Sequence, residues 1–205
     1  MFDRVVVVNP NHFSGIEVND LINQVAVDLT RHVKSHQERV VVVVGAHNQA
    51  LNERRDKKHY KNPWQQFNAL RTVSDQMGQD FVRACKKAGC RNATFKSPWE
   101  IELTTEGNDP LNGMLRSISW QKLPEASFSS PIVVIPDYGI NAKATFKGKP
   151  LAQSVGPDSA ELIGIACCDL GMGHAPSDQV ECLLYRPNPI YAAPPHIVEN
   201  PKILS

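Results

Sequence analysis

The sequence has almost no imbalance of charge: 22 Lys and Arg stand against 21 Asp and Glu, a formal net charge of +1. That removes the electrostatic case for a nucleic-acid or membrane-surface partner. No apolar run approaches the ~20 residues of a membrane span, and residues 1–4 lead straight into valines without the basic and apolar regions of a secretion signal. A cytoplasmic location is expected. Cysteine is sparse and odd in number, with five at positions 85, 90, 167, 168 and 182, mostly inside apolar segments. Adjacent Cys167 and Cys168 do not easily bridge each other, so reduced thiols are expected. Neither His nor Cys recurs at ligand spacing, and no metal site is expected. Repeats, low-complexity tracts and linkers are missing too. A chain of 205 residues that is 41% hydrophobic then suits one α/β domain spanning residues 1–205. The nearest thing to a basic patch (Arg54, Arg55, Lys57, Lys58, His59, Lys61) is broken by Glu53 and Asp56 and reads as a solvated loop.

What is present is a series of short β-branched runs separated by helix-like segments. Residues 4–8 and 40–44 are uninterrupted Val runs apart from Arg4, the pattern of strands buried on both faces. Between them Val18, Leu21, Ile22, Val25, Leu29 and Val33 fall on one stripe of a helix ending near His36. Strand, helix, strand within so short a span predicts a βαβ crossover and a parallel sheet. Residues 48–63 are polar and read as loop. A helix is expected from about Gln65 to Lys87, stopped by Gly89, with a short strand near residues 92–95. Residues 98–108 look less regular, and residues 111–123 look helical, with Leu111, Met114, Leu115 and Ile118 on one side.

The chain is organised around residues 131–205. An apolar run ends in Pro136-Asp-Tyr-Gly139, and a loop carrying Lys143, Lys147 and Lys149 is expected to reach Val155-Gly-Pro-Asp-Ser159. A helix is expected from Ala160 to Leu170, then a strand over residues 180–184 and a Pro-rich tail. Strand, Gly turn and helix N-terminus in that order form a layout in which backbone N–H groups face an anion. Gly171-Met-Gly-His174 reads as a helix stop and turn. The predicted fold is an α/β three-layer sandwich with a mainly parallel central sheet. Ligands in such sheets sit beyond the carboxyl ends of the strands, which directs attention to the turns after Val8, Val44, Ile135 and Leu184.

Laid against motif order, the chain resembles the aspartokinases of the amino-acid kinase superfamily. Residues 5–14 are similar to their first strand and K-F-G-G-T-S loop, and residues 40–47 to their V-V-V-S-A-M strand, with Gly45-Ala46 for Ser-Ala. Thr72-Val-Ser-Asp-Gln76 resembles the S-x-G-E segment with Asp75 for Glu, and Leu103-Thr-Thr-Glu106 the R-T-D piece. Tyr138-Gly-Ile-Asn141 resembles F-x-G-x-N, Gly156-Pro-Asp158 resembles G-S-D, and residues 190–198 resemble V-Y-T-A-D-P-R-x-V. The resemblance implies an amino-acid-kinase-like fold, with Asn9, Gly45, Gly139, Asn141 and Tyr191 on the nucleotide side. Ser14, Asp75, Thr105 and Glu106 fall on the substrate side, with Asp75 as the acid that pairs a substrate amine. Asp158 would orient a Lys or a metal, or simply cap its helix. It also implies a homo-oligomer, or a partner subunit.

Several groups of the family pattern are replaced. Its Lys falls at Asn9, its Gly-Gly at Asn11 and His12, the Arg of its G-R-G-G-S-D loop near Ser154, its T-D pair at Tyr185 and Arg186, and its Asp before Pro at Pro194. Phosphoryl transfer depends on cations and closely approaching backbone donors, so these losses together undercut the ordinary mechanism. The expected function is a diverged domain that binds a small acidic or amino-acid-like ligand without standard ATP-dependent phosphoryl transfer. One alternative is a working carboxylate kinase using ATP and Mg²⁺. In it His12 and His47, on turns after buried strands, or a lysine of residues 143–149 would replace the lost cations. A further alternative is a different enzyme using the same cleft, with Ser14, Asp75 and Asp158 around its substrate.

Overall fold

Three of the apolar runs lie side by side and are wholly buried. A computed structural model describes residues 2–10, 17–46, 63–109, 112–119, 121–171, 181–185 and 197–198. Strands β1 (Arg4–Val8), β2 (Val40–Val44) and β6 (Ile132–Pro136) pair in parallel, Val6 opposite Val42 and Val42 opposite Val134. Every Val and Ile of these strands is 0% exposed. Alternate residues face opposite layers. Val6, Val8, Val42, Val44 and Val134 meet α1 (Val18–His36) and α2 (Pro63–Lys87), whose Leu21, Val25, Leu29 and Phe81 share their cluster. Val5, Val7, Val41, Val43 and Ile135 meet Leu123 of α4 (Lys122–Ser129) and Ile163 and Cys167 of α5 (Ser159–Gly171). The hydrophobic effect thus acts on both faces, which is why continuous β-branched runs specify the centre of this sheet. The full order is β10-β9-β1-β2-β6-β3, with β3 (Thr94–Phe95) and β9 (Glu181–Tyr185) parallel and β10 (Ile197–Val198) antiparallel. This is the expected three-layer α/β arrangement.

A second sheet, in the order β5-β4-β7-β8, corrects two expectations. Residues after Gly139 form no loop. They form a hairpin of β7 (Tyr138–Phe146) and β8 (Lys149–Ser154), with Phe146 opposite Lys149. Its two-residue turn, Lys147-Gly148, has φ of 51° and 74°, the double left-handed geometry whose twist matches antiparallel strands. Lys143, Lys147 and Lys149 therefore belong to the hairpin. Residues 111–123 are likewise not one helix. Met114–Ser117 is strand β5, antiparallel to β4 (Thr104–Glu106), and α4 begins only at Lys122. Gly113 lets the Gln153 side chain pack against this path, since a Cβ there would fall 2.4 Å from it. Residues 98–108 contain the short helix α3 (Pro98–Ile101), whose Ser97 and Glu100 form a capping box, and then β4. The polar segment before α2 and the expected turn over residues 172–174 lie outside the described residues. Among those described, no helix is long and apolar enough to cross a membrane.

The amino end of the large sheet is fastened by charge. Arg4 Nε and His32 Nε2 lie 2.6 and 2.8 Å from Glu38 Oε2, joining the end of α1 to the start of β1. Burial alone would raise the Glu38 carboxyl, but the hydrogen bonds from Arg4 and His32 outweigh it and hold the group below its usual range. A carboxyl lowered in the folded state contributes stability above its unfolded pKa and loses it as pH falls through the folded value. Glu38→Gln should therefore cost about 1 kcal/mol at neutral pH. Urea titrations over a pH series should show that difference shrinking below about pH 4.

Candidate functional site

At the carboxyl end of the large sheet, two strand ends and a helix start converge. Asn9 follows β1 and is 3% exposed; its Nδ2 donates to Glu161 Oε1 at 2.7 Å. Gly45 follows β2, and its N–H donates to Val8 O at 2.8 Å. A Cβ on Gly45 would lie 3.3 Å from Ala160 Cβ and from Asn9 Cα, so the first turn of α5 packs directly onto both strand ends. Asp158 is exposed just before α5, and its carbonyl accepts the Leu162 N–H. Asn9, Asp158 and Glu161 are neutral or acidic.

The third strand end carries a group that no sequence motif singled out. Asp137 is the single residue between β6 of the large sheet and β7 of the small one, and it is 1% exposed. Its Oδ2 accepts the Ala46 N–H at 2.7 Å and its Oδ1 accepts the Ser74 hydroxyl at 3.0 Å. The Ser159 hydroxyl donates to its carbonyl, while Ser159 Oγ accepts the Val155 N–H at 3.2 Å. One residue thus ties β2, α2 and α5 to the crossing point of the two sheets. The available signal was an Asp directly after a wholly apolar strand, at the edge where ligands of such sheets bind.

The next residue repeats the pairing. Tyr138 is fully buried, and its hydroxyl donates to Asp75 Oδ1 at 2.7 Å, so Ser74 and Asp75 of α2 face Asp137 and Tyr138 in turn. Arg71 Nε is 3.5 Å from Asp75 Oδ2, and its guanidinium lies over the Trp99 ring, 4.7 Å from the centroid. Burial raises the Asp75 carboxyl, with the Tyr138 and Arg71 contacts offsetting part of the effect. Burial, and then the Asp75 charge, drives the Tyr138 phenol far above its usual range, so the hydroxyl stays a donor.

Four further candidates share the small sheet. Thr105 pairs in parallel with Asn141, and a Cβ on Gly139 would lie 2.5 Å from Thr105 Cγ2, so glycine there allows β4 and β7 to pack closely. Asn141 is 0% exposed; its Nδ2 donates to Gly107 O and Gln153 Oε1, and its Oδ1 accepts the N–H groups of Lys143 and Ala144. Glu106 Oε2 pairs with Arg116 at 3.0 Å and Lys143 at 3.2 Å. Thr105 Oγ1 is buried with no hydrogen-bond partner among the described residues. The candidates therefore fall into two groups joined by α2: Asn9, Gly45 and Asp158 at the large sheet, and Thr105, Glu106, Gly139 and Asn141 in the small one. His12, Ser14, His47 and Tyr191 lie outside the described residues. Among those described, no group of three or more His, Cys, Asp or Glu is placed to hold a metal ion.

Removing the Asp137 carboxylate strands a buried amide N–H and a buried hydroxyl, each costing about 1–3 kcal/mol. Asp137→Ala should lower unfolding free energy in urea by about 3 kcal/mol, and Asp137→Asn, which keeps one acceptor oxygen, by clearly less. Equal stability of the Ala variant and the parent would show that the junction is not held this way.

No protein-family model matches the sequence, and no curated protein matches it. Its structure, however, is similar to several kinases. The carbamate kinase of Giardia superposes with a TM-score of 0.56 at 10% identity, covering 83% of this chain and 70% of the kinase. E. coli aspartokinase III, in complex with aspartate and ADP, gives 0.55 at 13% identity, over 90% of this chain and 49% of its own. The aspartate kinase of Synechocystis gives 0.57 at 11% identity, with 91% of this chain but only 28% of its own length covered. At such identities the likeness is one of fold, and the fold is the mixed α/β architecture of the amino-acid kinases.

Proposed function

We propose that this chain is a single amino-acid-kinase-like domain that binds a small acidic or amino-acid-like ligand without carrying out standard ATP-dependent phosphoryl transfer. The observation that carries the proposal is the contact at the end of β1. Asn9, a neutral side chain, donates to the carboxylate of Glu161 on the first turn of α5. A kinase of this fold must neutralise phosphate charge and let backbone approach the phosphates. A polyphosphate brought to this edge would instead meet a carboxylate, and like charges a few ångströms apart repel by roughly 1–4 kcal/mol even in a polar surrounding. The contact of Gly45 with α5 narrows the same edge.

The ligand side of the proposal rests on Asp75. Its side chain is 21% exposed and its Oδ1 is oriented by Tyr138, which supports a role in pairing an amine. Ser14, Thr105 and Glu106 would complete that side, and a second copy or a partner subunit in the cytoplasm is part of the same proposal. Aspartokinase III of E. coli, similar in fold over 49% of its length, forms a complex with aspartate and ADP, which supports an amino-acid-like ligand here. Isothermal titration with ATP–Mg²⁺ checks the proposal. No binding in the micromolar range is expected, and micromolar binding accompanied by carboxyl phosphate formation would contradict it.

A further inference from the structure

The end of α2 places two cysteines against each other. Gly89, at φ 100°, donates its N–H to Lys86 O at 3.0 Å, and Cys90 donates to Cys85 O at 2.9 Å. These two bonds define a Schellman motif, in which the third residue from the helix end frequently packs against the residue that follows the left-handed glycine. Those positions are ordinarily filled by apolar side chains; here they are Cys85, 0% exposed, and Cys90, 6% exposed, both in one buried cluster. Burial, and next the Cys90 thiol, push the Cys85 thiol up to about 12. Burial also raises Cys90, while Lys34 works against that rise. Lys34 lies over the same turn: a Cβ on Gly89 would fall 2.5 Å from its Nζ.

We propose that Cys85 and Cys90 form an internal dithiol that closes to a disulfide when it meets a low-molecular-weight disulfide. A disulfide needs Cα atoms about 4.4–6.8 Å apart, and the 2.9 Å backbone bond from the Cys90 N–H to Cys85 O brings the two residues close together across the turn. Cys90, the more exposed and the closer to Lys34, loses its proton and attacks one sulfur of the reagent, expelling one small thiolate. Cys85 then loses its proton and attacks the Cys90 sulfur of the mixed disulfide, expelling the second. Two protein thiols become one disulfide, and one small disulfide is reduced to two thiols. Because the thiolate is the attacking form, closure is slow at neutral pH and faster in mild alkali. The bond fastens the end of α2, the helix carrying Ser74 and Asp75, to the segment entering β3.

The test incubates the full chain with glutathione disulfide in mild alkali, blocks remaining thiols, and measures intact mass and tryptic peptides. The expected product has lost two hydrogens, and its tryptic peptides 84–86 and 88–91 stay linked to each other until the disulfide is reduced. Cys85→Ser should stop at a glutathione adduct on Cys90, and amide exchange over residues 84–91 should slow in the oxidised parent. Adducts without a cross-link, no reaction while the protein remains folded, or a bond through Cys167, Cys168 or Cys182 would overturn the proposal.

Discussion

The carboxylate of Asp137 is the constraint on which the carboxyl edge of this molecule depends. It is an acid buried to 1% exposure at the one residue separating two sheets, and protein donors, the Ala46 amide and the Ser74 hydroxyl among them, replace its lost water. The Ala46 amide lies beyond β2 and the Ser74 hydroxyl on α2, while Ser159 of α5 donates to its carbonyl. Strand end, layer helix and closing helix are therefore fixed relative to one another by a single side chain and its backbone. The adjoining Tyr138–Asp75 bond extends the same restraint by one residue into the small sheet.

That fixed edge gives the Asn9–Glu161 contact its meaning. The strands behind it are buried on both faces, with Val7 and Val43 against one layer and Val8 and Val44 against the other. The first turn of α5 is seated on Gly45 and Asn9 at van der Waals distance. A close-packed core resists the displacement that would open this gap. The fold is similar to that of the carbamate and aspartate kinases, and the residue after β1 is a neutral Asn bonded to a carboxylate.

Much of the large sheet was legible because burial on both faces leaves a plain trace: runs such as Val40–Val44 are apolar without interruption. The stripe of α1 was legible for the complementary reason, since Leu21, Val25 and Leu29 recur at helical spacing. The small sheet was not. In residues 142–145 Ala, Lys, Ala and Thr give no strong apolar alternation, and the turn signal Lys147-Gly148 lacks the more familiar Asn-Gly form. Leu111, Met114, Leu115 and Ile118 imitate a helical stripe, yet Met114–Ser117 pair with β4, a partner that local pattern does not show. Asp137 was hidden because its partners lie 63 and 91 residues away, a separation at which local pattern carries no information. Ser14 and Tyr191 were named from motif order, and His12 and His47 from their place on turns after buried strands; all four lie outside the described residues.

The most direct measurement is a crystal structure of the protein grown with an ATP analogue and Mg²⁺ at high concentration. The expected result has Asn9 still bonded to Glu161 and no phosphate between the β1 end, Gly45 and the first turn of α5. A triphosphate seated there, with Asn9 released and α5 moved away from Gly45, would contradict the account.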